Sequence, residues 1–188
     1  TAVVAGLIVE VGDGLTVFGF AWEDLAMDTL GAGAAALITH YDMDDTVGFR
    51  FGKVSAEQPD ACCRTSGIGK DYSEEIYTAD LKLAGFARRL NVRPGPARFL
   101  LFSMSYGSKG YRYSPPDFRQ RNVGLELGLN IPEILTLVGV PQTKWWGQLI
   151  YGFFNFFRVP FTSIGVYFDL NKGKWHGPNA GNVYNPGP

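Results

Sequence analysis

Four carboxylates near the start of the chain have spacings that could do chemistry. Asp24 and Asp28 lie four residues apart, which places both on one helical face. Glu10 and Asp13 precede them at the end of an apolar run. Set at a helix–helix seam, such carboxylates form a cation site or an acid pair with a raised pKa. Capping accounts for the same residues without chemistry. Asp24 falls in a first helical turn, near the positive end of the helix dipole, and Asp13 sits in a turn between glycines. Asp28 precedes a nearly featureless small-residue run and is the best candidate for a buried, partnered carboxylate.

Other motifs are excluded by their spacing. His40 and His176 are far apart and no Cys-x-x-Cys occurs, so neither a metal nor a cofactor is expected. Cys62 and Cys63 are adjacent and read as free thiols, because a dipeptide rarely allows disulfide geometry. Asp42, Asp44 and Asp45 lack the glycine and terminal glutamate of a calcium loop, leaving a solvated turn. Gly107-Ser108-Lys109-Gly110 lacks the phosphate-loop frame and reads as a hairpin turn. A Gly-x-Ser-x-Gly elbow is absent.

The second candidate surface is aromatic. Lys144 to Arg158 carries Trp145, Trp146, Tyr151, Phe153, Phe154 and Phe157 between two cations. Tryptophan and tyrosine favour the membrane–water interface, and flanking cations snorkel there. The segment is too short to span a bilayer but suits a helix lying in the interface. A core helix packed on a sheet is the alternative, although such a helix needs only an apolar stripe. Seven arginines fall between residues 88 and 121. Arg112, Arg119 and Arg121, among tyrosines, are candidates for contact with anionic head groups. An ordinary polar rim with surface ion pairs is the competing account.

Composition agrees with a membrane setting. Of 188 residues, 46% are hydrophobic and only 19% charged, below the ~25% usual in soluble domains. The net charge of −1 offers no basic field, so nucleic acid is not expected as a partner. The chain opens on an apolar run without an initiator methionine, as after trimming.

Two blocks must position these residues. Residues 1–41 read as a helical hairpin, with helices over about 2–11 and 22–39 and a Gly12-Asp13-Gly14 stop between. The run Leu30-Gly31-Ala32-Gly33-Ala34 permits close helix approach. Residues 42–188 then change to a period of two. Strands are predicted at Val47–Phe51, Phe99–Tyr106, Val123–Leu129 and Ile164–Leu170, with bulky apolar residues on one face and glycine with single charges on the other. Helices are predicted over Tyr72–Leu90, Ile131–Val140 and the aromatic segment, and the tail from Lys172 as a surface strap.

Residues 2–37 carry a resemblance. Glu10, Asp13, Gly19-Phe20, Trp22, Asp24-Leu25, Asp28 and Gly31-Ala32 resemble the C-terminal half of the YfiM-like predicted periplasmic lipoproteins. VanZ-like membrane proteins show a more distant form of the pattern. Ala21 stands where the family has serine, and the family's upstream Asp-Lys-x-x-His-type segment has no counterpart here. The resemblance implies a bacterial cell-envelope address, on the periplasmic side and associated with the outer membrane. It implies no mechanism.

The expected architecture is α+β: an N-terminal helical hairpin, then a small antiparallel four-stranded sheet with covering helices, membrane-associated. A partial barrel seated against a bilayer is the alternative arrangement. The expected function is that of a non-enzymatic envelope protein, structural or lipid-contacting. Its expected partners are membrane lipid and an envelope protein or a second copy. The alternative is an envelope enzyme acting on a lipid or cell-wall substrate through the carboxylate cluster.

Overall fold

The computed structural model describes residues 22–53, 75–109 and 119–180. The chain divides into two compact units, Thr1–Asp44 and Asp45–Pro188. In the first, helix α1 spans Trp22–His40, matching the second predicted helix. Residues 2–11, predicted as its partner, lie outside the described residues, as do Glu10 and Asp13.

The second unit is a mixed α+β body built on one antiparallel sheet. Its strands are β1 (Val47–Lys53), β2 (Glu75–Lys82), β3 (Leu100–Lys109), β4 (Gln120–Leu129), β5 (Ser163–Asp169) and β6 (Lys174–Ala180). They lie side by side in chain order as a meander. Helix α2 (Leu83–Arg89) and a 3₁₀ turn (Gly95–Phe99) link β2 to β3. Helices α3 (Ile131–Leu137) and α4 (Trp145–Phe156) link β4 to β5.

Among the described residues the sheet has six strands where four were expected. Residues 75–82, expected to be helical, form β2, and the expected tail strap contains β6. The β2 misreading has a physical cause. Ile76, Thr78 and Asp80 alternate with Tyr77, Ala79 and Leu81, but alanine and leucine are equally good helix residues, so the period of two is faint. Only the last stretch, from Leu83, turns helical. The β5–β6 turn is fixed locally: the Asp169 carboxylate accepts from the backbone N–H groups of Asn171 and Lys172, at 2.8 and 3.2 Å.

Cross-strand register aligns side chains in continuous rows. One row runs Phe51, Tyr77, Tyr106, Val123, Phe168, Trp175. The next runs Phe49, Ala79, Met104, Leu125, Val166, and a third Val47, Leu81, Phe102, Leu127, Ile164. Every residue in these rows is exposed or half-exposed. Helix α4 meets this face near its C-terminal end, where Phe156 and Phe157 stand beside Phe51.

The interleaved rows are polar and buried. Arg50, Thr78, Ser105, Gly124 and Tyr167 form one; Gly48, Asp80, Ser103, Glu126 and Gly165 form the next. Arg50, Thr78, Asp80, Ser103, Ser105, Glu126 and Tyr167 are all buried. Burial thus runs opposite to hydropathy along these rows, while Ile76 of β2 and Leu101 of β3 are buried apolar residues nearer the strand ends.

Candidate functional site

The buried polar face, hereafter the inner face, is held by two ion pairs. Arg50 on β1 grips Asp80 on β2 with two bonds, Nε at 2.5 Å and a terminal nitrogen at 3.0 Å. Ser103 on β3 donates to the same carboxylate at 2.5 Å. Beyond it, Arg158 donates to Glu126 of β4 and to the Ser163 hydroxyl of β5, both at 2.6 Å. Ser163 in turn donates to Glu126 at 2.6 Å. Local sequence makes room for this network. The ring of Tyr167 lies where a side chain on Gly124 would stand, and its hydroxyl is 3.1 Å from the position a Gly165 Cβ would take. Burial, reinforced by the neighbouring Glu126 carboxylate and opposed by Arg158, holds the Tyr167 phenol well above its ordinary pKa.

Arg158 owes its place to the strap after α4. Its backbone N–H donates to Phe51 of β1 at 2.8 Å, and Phe157 makes a parallel bridge to Phe51. The side chain therefore enters from the β1 edge and crosses to β4 and β5. This corrects the expectation that Arg158 is a snorkelling cation: only 1% of its side chain is exposed. Tyr151 is corrected likewise. It is buried, its hydroxyl 2.9 Å from that of Thr136.

The rest of the aromatic segment faces outward. Trp145 is 73% exposed, Trp146 38% and Phe153 51%, with Lys144 exposed at the start of α4 and Phe154 half-exposed. Phe153 and Phe157 pack against each other with centroids 4.7 Å apart. Together with the outer rows of the sheet they make a large exposed apolar surface. Five of the six residues in the Phe51–Trp175 row are aromatic, and beyond that row stands exposed Arg121. At the opposite end of the strands Arg88 bonds Asp45 and Glu133, and Arg98 bonds Glu133, each at 3.0 Å. An apolar band is thus bounded by aromatic and charged edges.

Of the four carboxylates expected to act together, the structure describes one side chain. Asp28 is exposed on α1 instead of buried. Asp24 lies in the first turn of that helix. Arg112 lies outside the described residues, while Arg119 and Arg121 are both exposed, Arg121 donating to Asn171 at 3.3 Å. Among the described residues no group of three or more His, Cys, Asp or Glu is placed to hold a metal. The buried carboxylates Glu75, Asp80, Glu126 and Asp169 lie in strands, and the helical expectation for β2 concealed Glu75 and Asp80. Their signal was a lone charge in a row of glycines and serines, matched by an opposite charge elsewhere.

No family model, curated protein or solved structure significantly matches the chain. Among the described residues no helix is long and apolar enough to cross a membrane, which leaves strands unaddressed.

Proposed function

We propose that this protein is a non-enzymatic component of the bacterial cell envelope whose sheet and aromatic helix contact membrane lipid. One observation carries the reading: the outer rows are apolar and exposed while the inner rows are polar and buried. In water this arrangement is costly, since each large apolar side chain left exposed forgoes ~1.5–3 kcal/mol of burial. Against hydrocarbon the cost disappears, and membrane strands alternate in this sense with aromatic girdles at their edges. The six described strands form a membrane-associated wall in this reading. The periplasmic, outer-membrane address rests on the YfiM-like resemblance of residues 2–37.

Liposome flotation tests the reading. The protein is expected to float with vesicles and to need detergent for monodispersity. Recovery as a detergent-free, soluble monomer would overturn it. Phe153→Ser with Phe157→Ser should lower the floated fraction and leave the sheet's circular dichroism intact, because Phe153 is half exposed and Phe157 more than a third.

A further inference from the structure

The outer face is not uniform. Ala79, the smallest residue of its row, lies between Phe49 and Met104 and forms the floor of a groove of about 510 Å³. Phe51, Tyr77, Tyr106 and Val123 border it, and Phe156 of α4 walls one side. Of the polar residues beneath it, Arg50 holds Asp80 and Thr78 donates to the Arg50 carbonyl, while the Ser105 hydroxyl is buried without a hydrogen bond among the described residues. The Tyr77 hydroxyl donates to Glu75 at 2.7 Å. An extended peptide laid here would leave backbone amides unpaired against carbon. A single hydrocarbon chain asks for no hydrogen bond from this lining, and the volume lies in the ~300–1,000 Å³ range of small-ligand sites. One row beyond Val123, on the same face of β4, exposed Arg121 supplies a cation at the groove's end.

We infer that this groove holds one acyl chain of an anionic membrane phospholipid, with its phosphate toward Arg121. The inference rests on the lipid-contacting reading above and adds a discrete, one-chain site to it. A guanidinium pairs well with phosphate oxygens, so the head group gains orientation as well as charge neutralisation.

Native mass spectrometry of the full chain in mild detergent, titrated with dioleoyl-phosphatidylglycerol, tests it. The wild type is expected to retain one lipid. Ala79→Trp, which fills the floor from an outward-facing position, should weaken retention by about tenfold or more. Arg121→Gln should weaken phosphatidylglycerol by about fivefold and weaken phosphatidylcholine less, because choline already offsets the charge of the phosphate that both lipids carry. Both variants should still float with liposomes. If Ala79→Trp fails to fold, Phe156→Ala, which removes the wall, makes the same test. Unchanged retention in the folded groove variant, graded multiple binding without a single-lipid state, or capture of oleate but not phosphatidylglycerol would each overturn the inference. Loss of flotation in the wild type would instead overturn the broader reading.

Discussion

Arg158 reaches Glu126 at 2.6 Å with both side chains almost wholly out of water. The pair ties the strap after α4 to the middle of the sheet, from β1 to β4. It is a buried charge pair whose partners are far apart in sequence, so its value lies in what happens when one charge is lost. Glu126→Gln or Arg158→Met should each destabilise the protein by about 3–5 kcal/mol, because the remaining charge is buried without compensation. Replacing both with apolar residues of similar volume should recover most of that loss. Denaturant titration of the two single variants and the double variant measures this, and additive losses would contradict the pairing.

Tyr167 makes stability fall in strong alkali. Its raised pKa means that the folded phenol stays protonated where the unfolded one, near 10, ionises. Below pH 10 both states keep the proton and the contribution is complete. Above it the unfolded state binds fewer protons, so stability drops by up to ~1.4 kcal/mol per pH unit. Tyr167→Phe should remove that slope. Its effect at neutral pH should be small, since the buried hydroxyl makes no hydrogen bond of good geometry among the described residues. Unfolding midpoints between neutral pH and pH 11 compare the two proteins.

Gly124 is required by contact. A Cβ there would overlap the Tyr167 ring and come within 2.5 Å of the Ser105 hydroxyl. Gly124→Ala should therefore cost about 1–3 kcal/mol through overpacking. Gly152 in α4 has open space around it, and Gly152→Ala should stabilise by ~0.5–1 kcal/mol through helix propensity alone. Opposite signs in a melting experiment are the expected result.

Phe161, in the turn leading into β5, has φ +62° and is 75% exposed. A bulky aromatic in the left-handed region is strained and gains nothing from burial in the protein. Phe161→Gly should raise stability by about 1 kcal/mol. If the ring is a membrane contact, the same change should lower the fraction that floats with liposomes. A loss of stability would show that the ring is held by packing.

The outlying charges should matter little. Arg88 and Asp45 are each nearly half exposed, so Arg88→Ala should cost no more than ~1 kcal/mol, less at high salt. Burial opposes ionisation of Asp45, but Thr46 and Arg88 outweigh it and hold the carboxyl below its usual 3.8. Its small contribution is therefore complete above that pH and lost as pH falls below it, as acid titration of Arg88→Ala beside the wild type would show.

The sequence by itself determined the alternation in β1, β4 and β5, because bulky apolar residues and glycines at a period of two leave no helical face. It also determined α1, α3 and the aromatic α4, whose patterns are local. Only the tertiary structure decided which face of the sheet is inside. Periodicity separates two faces but carries no sign, and the usual rule would have buried Phe49, Phe102 and Leu127, all of which are exposed. Nor could local pattern place Arg158. Its charge read as a terminal cation of an amphipathic segment until the strap paired with β1 and delivered it to Glu126, a contact spanning 32 residues. Asp80 was hidden for a related reason, since its strand alternates with alanine and leucine, which fit a helix equally well. The groove over Ala79 is likewise a tertiary product, made by four strands in register and a phenylalanine from a helix that follows them.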